Sequence, residues 1–306
     1  MQITQTIIPI FLVIFFGWLA RKKEFMPHGF LGPANRLVYY LAIPAMIFRA
    51  ISRASFQEEF NSQVLLITLV CVLAVFLTAW VLAALTRMAH QIRGSFIQCT
   101  FHGNLGYIGF AVAFYYLGDT GLARSAIFAG FISILQNILA VFTLQLHTKR
   151  TTERAPAIVE NTKKIVGHPV ILSALAGILV SVAGLRLPVI VDRSLAILGG
   201  MALPLALLLI GASLSFDLMR TRIKGVIAVS LFKLAIMPGL GIFIFKFFAI
   251  PAADYLPAFI LVAAPTATVT YVMAREMHGD ADFAAAAISG CTLVSAVSYS
   301  IWLNIV

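Results

Sequence analysis

The sequence predicts an all-α membrane protein of ten transmembrane helices arranged as two inverted five-helix repeats. Three observations predict it. The 306 residues are 61% hydrophobic and only 11% charged, against roughly 25% charged in a soluble domain. Ten apolar runs follow one another, each near or above the roughly 20 residues that a straight helix needs to cross a bilayer. Glycines and prolines recur in register about half a chain apart, which is the mark of an internal repeat.

The runs cover approximately residues 3–20, 32–50, 62–86, 94–117, 122–147, 167–185, 193–215, 223–249, 254–277 and 282–305. The first opens with Met1-Gln2-Ile3-Thr4, which lacks a basic n-region, and reads as a retained helix rather than a cleaved signal peptide. The polar stretch 148–166 carries Lys149, Arg150, Arg154, Lys163 and Lys164 and reads as a linker. The expected organisation is a first repeat over 1–147, this linker, and a second repeat over 167–306. Pro9 and Pro169, Gly17 and Gly177, and Pro44 and Pro204 stand 160 residues apart, while Gly118-Asp119 matches Gly279-Asp280 at 161. Such residues mark special backbone geometry, so their register says more than shared leucines would. Five spans is an odd number, so the second half enters the membrane from the opposite side.

Charge sets the orientation. Fourteen basic residues fall in the connections between runs 1–2, 3–4, 5–6, 7–8 and 9–10, and five (Arg49, Arg53, Arg124, Arg186 and Arg193) on the other side. By the positive-inside rule the linker is cytoplasmic and both termini lie outside; the membrane expected is a bacterial inner membrane. The net charge of +10 is therefore loop charge, and no nucleic-acid partner is expected. Cys71, Cys99 and Cys291 lie inside apolar runs without metal-ligand spacing and read as small packing residues. No metal and no cofactor are expected.

The chemistry points to runs four and nine. Pro265 in Ala263-Ala264-Pro265-Thr266-Ala267-Thr268-Val269-Thr270-Tyr271 has no N–H and crowds the preceding turn, so the helix breaks there. His102-Gly103-Asn104-Leu105-Gly106-Tyr107-Ile108-Gly109 stands at the same depth in run four. Breaks at mid-membrane persist only against protein or a water-filled cavity, and transporters hold cargo at them. Asn104 reads either as interhelical glue or as a cargo contact, and its place on the break favours cargo. Thr266 and Thr268 either satisfy carbonyls freed by Pro265 or touch cargo. Tyr271 and Tyr107 read more readily as packing. Gln98, His102 and Gly106 complete the candidates on run four, although a lone histidine is more often a satisfied core residue. Gln136, Asn137, Thr292 and Ser295 either line the cavity or pack helices. Lys233 lies ten residues into run eight, about 15 Å by helical rise. An intramembrane charge is functional by default; the alternative is a structural bond to an unwound carbonyl.

These residues resemble a known family. Pro204-Leu205-Ala206-Leu207-Leu208-Leu209-Ile210-Gly211-Ala212-Ser213-Leu214 resembles the seventh-helix signature of the auxin efflux carrier (AEC) family. Asn104-x-Gly106-x-x-Gly109 is similar to its fourth-helix motif. Lys233-Leu234 with Pro238 resembles its eighth helix. Pro265 with Tyr271-Val272-x-Ala274, Gly279-Asp280 and Thr292-x-x-Ser295 is similar to its ninth and tenth. Ala111 departs from a common proline and Cys291 from a common threonine. The form is prokaryotic-type, without a long central loop. The resemblance implies helices four and nine unwound and crossing at the centre, and a permease for small organic anions. Substrate-binding candidates are then Asn104, Pro265, Thr266, Thr268, Gly106, Tyr271, Lys233, Gln98 and His102. The partners are the anion and the lipid bilayer, with a homodimer left open.

Two other readings rank lower. The bile-acid sodium symporters share a similar ten-helix plan but place acids in the core, whereas all twelve carboxylates here lie in connections or at span ends. The coupling ion stays open. Intramembrane enzymes need H-E-x-x-H, paired carboxylates or a serine–histidine arrangement, and none is present. The chain is not expected to be an enzyme. A receptor is disfavoured because an inverted repeat suits alternating access.

Overall fold

The computed structural model describes residues 2–86, 88–147 and 169–306. The linker 148–166, with its five basic residues, and Arg87 lie outside the described residues. Every regular element among those described is helical, apart from one isolated antiparallel bridge between Gly103 and Thr266.

Helix α1 spans Gln2–Lys22. Helices α2 (His28–Leu37) and α3 (Ile43–Arg53) join through a π turn over Val38–Ala42, and a short α4 (Phe56–Glu59) leads into α5 (Ser62–Leu85). Helix α6 (His90–Phe101) stops, a π turn covers Leu105–Gly109, and α7 runs from Phe110–His147. The second half holds α8 (Pro169–Val182), α9 (Val189–Gly200), α10 (Ala202–Ala212) and a short α11 (Phe216–Thr221). It continues with α12 (Ile223–Leu231), a π turn over Phe232–Ile236, α13 (Met237–Phe247), α14 (Ala252–Val262), α15 (Val269–Glu276) and α16 (Ala281–Ile305).

Six stretches are long and apolar enough to cross a membrane: Ile3–Lys22, Ser62–Leu85, Leu105–His147, Val189–Ala212, Ile223–Phe247 and Ala281–Ile305. Pro169–Val182 and Ala252–Val262 are apolar but shorter. The chain is a multi-pass integral membrane protein. Sequence runs and structural helices differ in number for local reasons. Runs four and five meet inside α7, where Gly118 adopts φ 73 and ψ −163 and turns the chain. A positive φ is inexpensive only for glycine. The next left-handed residue in the second half beyond Gly184 and Ala249 is His278 (φ 57), 160 positions after Gly118. The turn thus falls one residue before the Gly279-Asp280 pair that the sequence suggests.

Prolines explain the other interruptions. Pro238 supplies no N–H to the carbonyl four residues back, Leu234. That carbonyl lies in a π turn and accepts instead from Ser298 Oγ at 2.8 Å and Trp302 Nε1 at 2.7 Å. Pro44 stands in the same relation to the π turn over Val38–Ala42. The carbonyl four residues before Pro257, Ala253, accepts from Arg124 Nη1 at 3.2 Å. Where no water reaches, a freed carbonyl needs a partner of this kind.

The outer surface matches a hydrocarbon solvent. On α5, Leu66, Val70, Leu73, Leu77 and Val81 form an exposed stripe at helical spacing, while Val64, Ile67, Cys71, Val75 and Ala79 are buried behind it. Charges collect at the helix ends. Arg49 and Arg53 pair with Asp192, Arg124 with Glu59, and Arg222 with Asp280.

Candidate functional site

The two interrupted helices meet at their interruptions. The N–H of Asn104 donates to Pro265 O at 2.7 Å, and the N–H of Ala267 donates to His102 O at 2.9 Å. This is a short antiparallel backbone pair between residues otherwise far apart in sequence. It satisfies four groups that broken helices would leave bare. Gly103, which has no side chain, leaves room beside this pair for Lys233: a Cβ there would lie 3.2 Å from its Nζ.

The first break is held by Asn104. Its Oδ1 accepts from Tyr107 N at 3.2 Å, capping the π turn that restarts the helix. Gly109 N donates to Asn104 O at 2.9 Å. Asn104 is 4% exposed, and its Nδ2 has no hydrogen-bond partner among the described residues. An amide nitrogen offers two donors, so the break presents unused donors next to the start of a helix.

The second break is held from outside itself. Thr266 Oγ1 donates to Cys99 O at 2.9 Å, so it serves the end of α6 rather than the carbonyls released by Pro265. Lys233 is fully buried, and its Nζ donates to Val262 O, the last residue of α14, at 2.7 Å. Met237 Sδ lies 3.5 Å from the same nitrogen. An ammonium at the carbonyl end of a helix also opposes its negative dipole. Thr268 precedes α15 without capping it through its side chain.

The other candidates divide. His102 ends α6, with its N–H on Gln98 O at 3.0 Å and its ring stacked on Phe101. Gln98 is fully buried; Nε2 donates to Met273 Sδ at 3.3 Å, while Oε1 has no partner among the described residues. Gly106, Thr268 and Tyr271 are half-buried, while Pro265 and Thr266 are buried. The structure therefore brings Asn104, His102, Pro265, Thr266 and Lys233 together. Gln98 and Tyr271 stand a turn or more away along their helices. Asn137 and Ser295 bond carbonyls of their own helices, Ser133 O and Thr292 O, and pack.

Further side chains contribute that the sequence left unnamed or named only as packing or cavity-lining alternatives. Gln136 Nε2 donates to Phe101 O at 3.0 Å, and Tyr299 Oη to Ile260 O at 2.9 Å. Each ties the end of a broken helix. Tyr107 Oη donates to Asn35 Oδ1 at 3.1 Å, linking the first break to α2. Only polarity within an apolar run could have flagged Asn35 and Tyr299, as it did Gln136. Cys99 Sγ lies 3.8 Å from Thr270 Oγ1, which no spacing suggests.

Comparison with known proteins bears on this arrangement. The family described as membrane transport protein matches residues 2–156 and 151–303. A protein of Rhizobium meliloti named "Putative malonate transporter" is 25% identical over 305 residues, covering 96% of this chain and 92% of its own length. An uncharacterized transporter of Methanothermobacter thermautotrophicus is 23% identical over 98% of this chain and 97% of its own. Another, from Methanocaldococcus jannaschii, is 22% identical over 97% of both. With both halves matched and a helical membrane fold in hand, the chain belongs to the membrane transport protein family, that of the auxin efflux carriers.

Proposed function

We propose that this chain is a secondary transporter of small organic anions, working by alternating access, with cargo held where the two interrupted helices meet. The observation that carries the reading is the mutual backbone pairing of the breaks, Asn104 N to Pro265 O and Ala267 N to His102 O. Just past it, the π turn at Leu105 and helix α15 at Val269 begin. Each start carries N–H groups that its own helix cannot use and roughly half a positive charge. Two starts facing one point favour a carboxylate without a salt bridge. The unpartnered Asn104 Nδ2 adds side-chain donors at the same place. Malonate, the substrate in the name of the Rhizobium meliloti relative, is the first anion to test.

The same reading takes the fold as ten spans in two inverted repeats of 1–147 and 167–306. Packing supports it. A Cβ on Gly17 would strike Leu208 O, and one on Gly177 would lie 3.2 Å from Phe48 O. These contacts exchange under the 160-residue offset, so α1 sits on α10 as α8 sits on α3. Contacts at the helix ends support the alternation of sides. His90 meets His147, joining connections 3–4 and 5–6, and Arg222 meets Asp280, joining 7–8 and 9–10. Glu59 meets Arg124, joining 2–3 and 4–5. With the charge bias, both termini face outward from a bacterial inner membrane.

The test is uptake of labelled malonate into proteoliposomes, with and without pH or sodium gradients. Saturable uptake that other short dicarboxylates compete is expected, and the gradients identify the coupling ion. Uptake no greater than in protein-free liposomes, for malonate and its competitors alike, would refute the carrier reading.

A further inference from the structure

We propose that Arg49 and Arg53 form a docking site for carboxylate cargo at the mouth of a vestibule, a site that Asp192 occupies until cargo displaces it. This rests on the reading of the chain as a carboxylate carrier. The vestibule is a cavity of about 750 Å³ between α3, the turn at Gly118, and α9–α10. Arg49, Arg53, Met46, Glu59, Asp119 and Pro204 are among its lining residues.

The geometry at the mouth is that of a carboxylate receptor already filled. Asp192 Oδ1 lies 3.0 Å from Arg49 Nε and 3.2 Å from Arg53 Nε, and Oδ2 lies 3.3 Å from Arg49 Nη2. Two guanidinium groups carry ten N–H donors between them. Asp192 uses three of these nitrogens, and the trio keeps a net charge of +1. The Arg53 side chain is 57% exposed, so its spare donors can be reached. A planar fork of this kind matches the two oxygens of a carboxylate, as Asp192 shows, in a way that a monatomic anion cannot. Glu59, paired with Arg124, and Asp119 offset much of the remaining positive field. Docking by exchange therefore fits better than steady attraction. Asp192 also has somewhere to go. It lies in the first turn of α9, where free N–H groups and the helix dipole favour a carboxylate.

The mouth connects to the crossing along one helix face. Arg53, Arg49 and Met46 follow each other on α3 at spacings of four and three, which stack side chains in a row. All three line the vestibule. Ile43, next in the row, has its Cδ1 3.8 Å from where a Cβ on Gly106 would stand. The stripe thus leads from the arginines to the half-buried glycine beside Asn104.

Initial rates of labelled malonate uptake test this in wild type, Arg49→Gln, Arg49→Lys and Asp192→Asn. Losing charge-assisted bonds should raise KM about tenfold in Arg49→Gln with kcat changed less than about twofold. Arg49→Lys keeps the ion pair, and with it the fold, but loses the fork; its KM should fall between the two. Asp192→Asn removes the competitor and should lower KM about threefold. A purely structural ion pair would instead make the Gln and Asn variants shift together, in kcat and folded yield. Transport by wild type with KM unmoved in Arg49→Gln, or with KM rising in both variants, overturns the docking site alone. Wild type without uptake of malonate or of any other short dicarboxylate removes the carrier reading, and this site with it.

Discussion

The break at 102–104 contains no proline, whereas the break at 263–268 is built around Pro265. Asn104 holds the first by capping the turn that follows it, and the same side chain is left with an unused amide. The second is held by a missing N–H, by groups lent from elsewhere, Lys233 on Val262 O and Tyr299 on Ile260 O, and by the tie of its own Thr266 to Cys99 O. Its one fully buried polar side chain, Thr266, is spent on Cys99 O. The difference assigns roles on this reading. The first break recognises the anion, and the second supports the geometry.

The largest expected effect breaks recognition. Asn104→Asp keeps an oxygen for the cap on Tyr107 N but replaces a donor with a negative charge. Like charges about 4 Å apart repel by roughly 4 kcal/mol at an effective dielectric near 20, on the order of several hundredfold in affinity. Malonate-induced thermal stabilisation of the purified protein should disappear in Asn104→Asp at normal expression. An undiminished shift would place the anion elsewhere.

Breaking the support should matter less. Lys233→Met leaves Val262 O unsatisfied, at a cost of about 1–3 kcal/mol, and removes a buried charge that is itself unfavourable. The folded yield should stay close to wild type while uptake falls about tenfold; unaltered uptake would make the lysine dispensable. Pro265→Ala should act in the same direction and more weakly. The added N–H lets α14 extend, yet Thr266 and Asn104 still grip the segment. Uptake should drop a few-fold, more than thermal stability does, and a variant losing stability but not uptake would reverse that order. Ser295→Ala sharpens the comparison from the other side. Its hydroxyl bonds its own helix, so uptake and stability should both stay within about 0.5 kcal/mol of wild type.

What the sequence made legible follows from which constraints are local. Proline's missing N–H announces the second break in any context, and the same rule places freed carbonyls at Leu234 and Ala253. The first break could be read only from Asn104 and its glycines, because nothing there forbids a helix. Lys233 was conspicuous by its depth, but its partner Val262 lies 29 residues away and is set by how helices pack. Tyr299 and Asn35 were hidden for the same reason, and Gln136 was visible only as a residue that lines the cavity or packs helices. His278 takes a left-handed turn, a conformation histidine adopts more readily than most residues but rarely enough that only its neighbours Gly279 and Asp280 hinted at the turn. Ten apolar runs become six long helices because α7 carries runs four and five through the Gly118 turn, run nine is split at Pro265, and runs two and six supply no helix that is both long and apolar enough among the described residues.

The central claim is that the cargo carboxylate sits against Asn104 at the crossing. Magnetic-resonance distance measurement tests it in membrane-reconstituted protein carrying ¹⁵N-labelled asparagine side chains, with ¹³C-carboxyl malonate at saturation. A carbon–nitrogen contact within about 4 Å, the reach of one hydrogen bond, is expected in wild type and should be absent in Asn104→Ser. Bound malonate without such a contact, or an identical contact in Asn104→Ser, would contradict it.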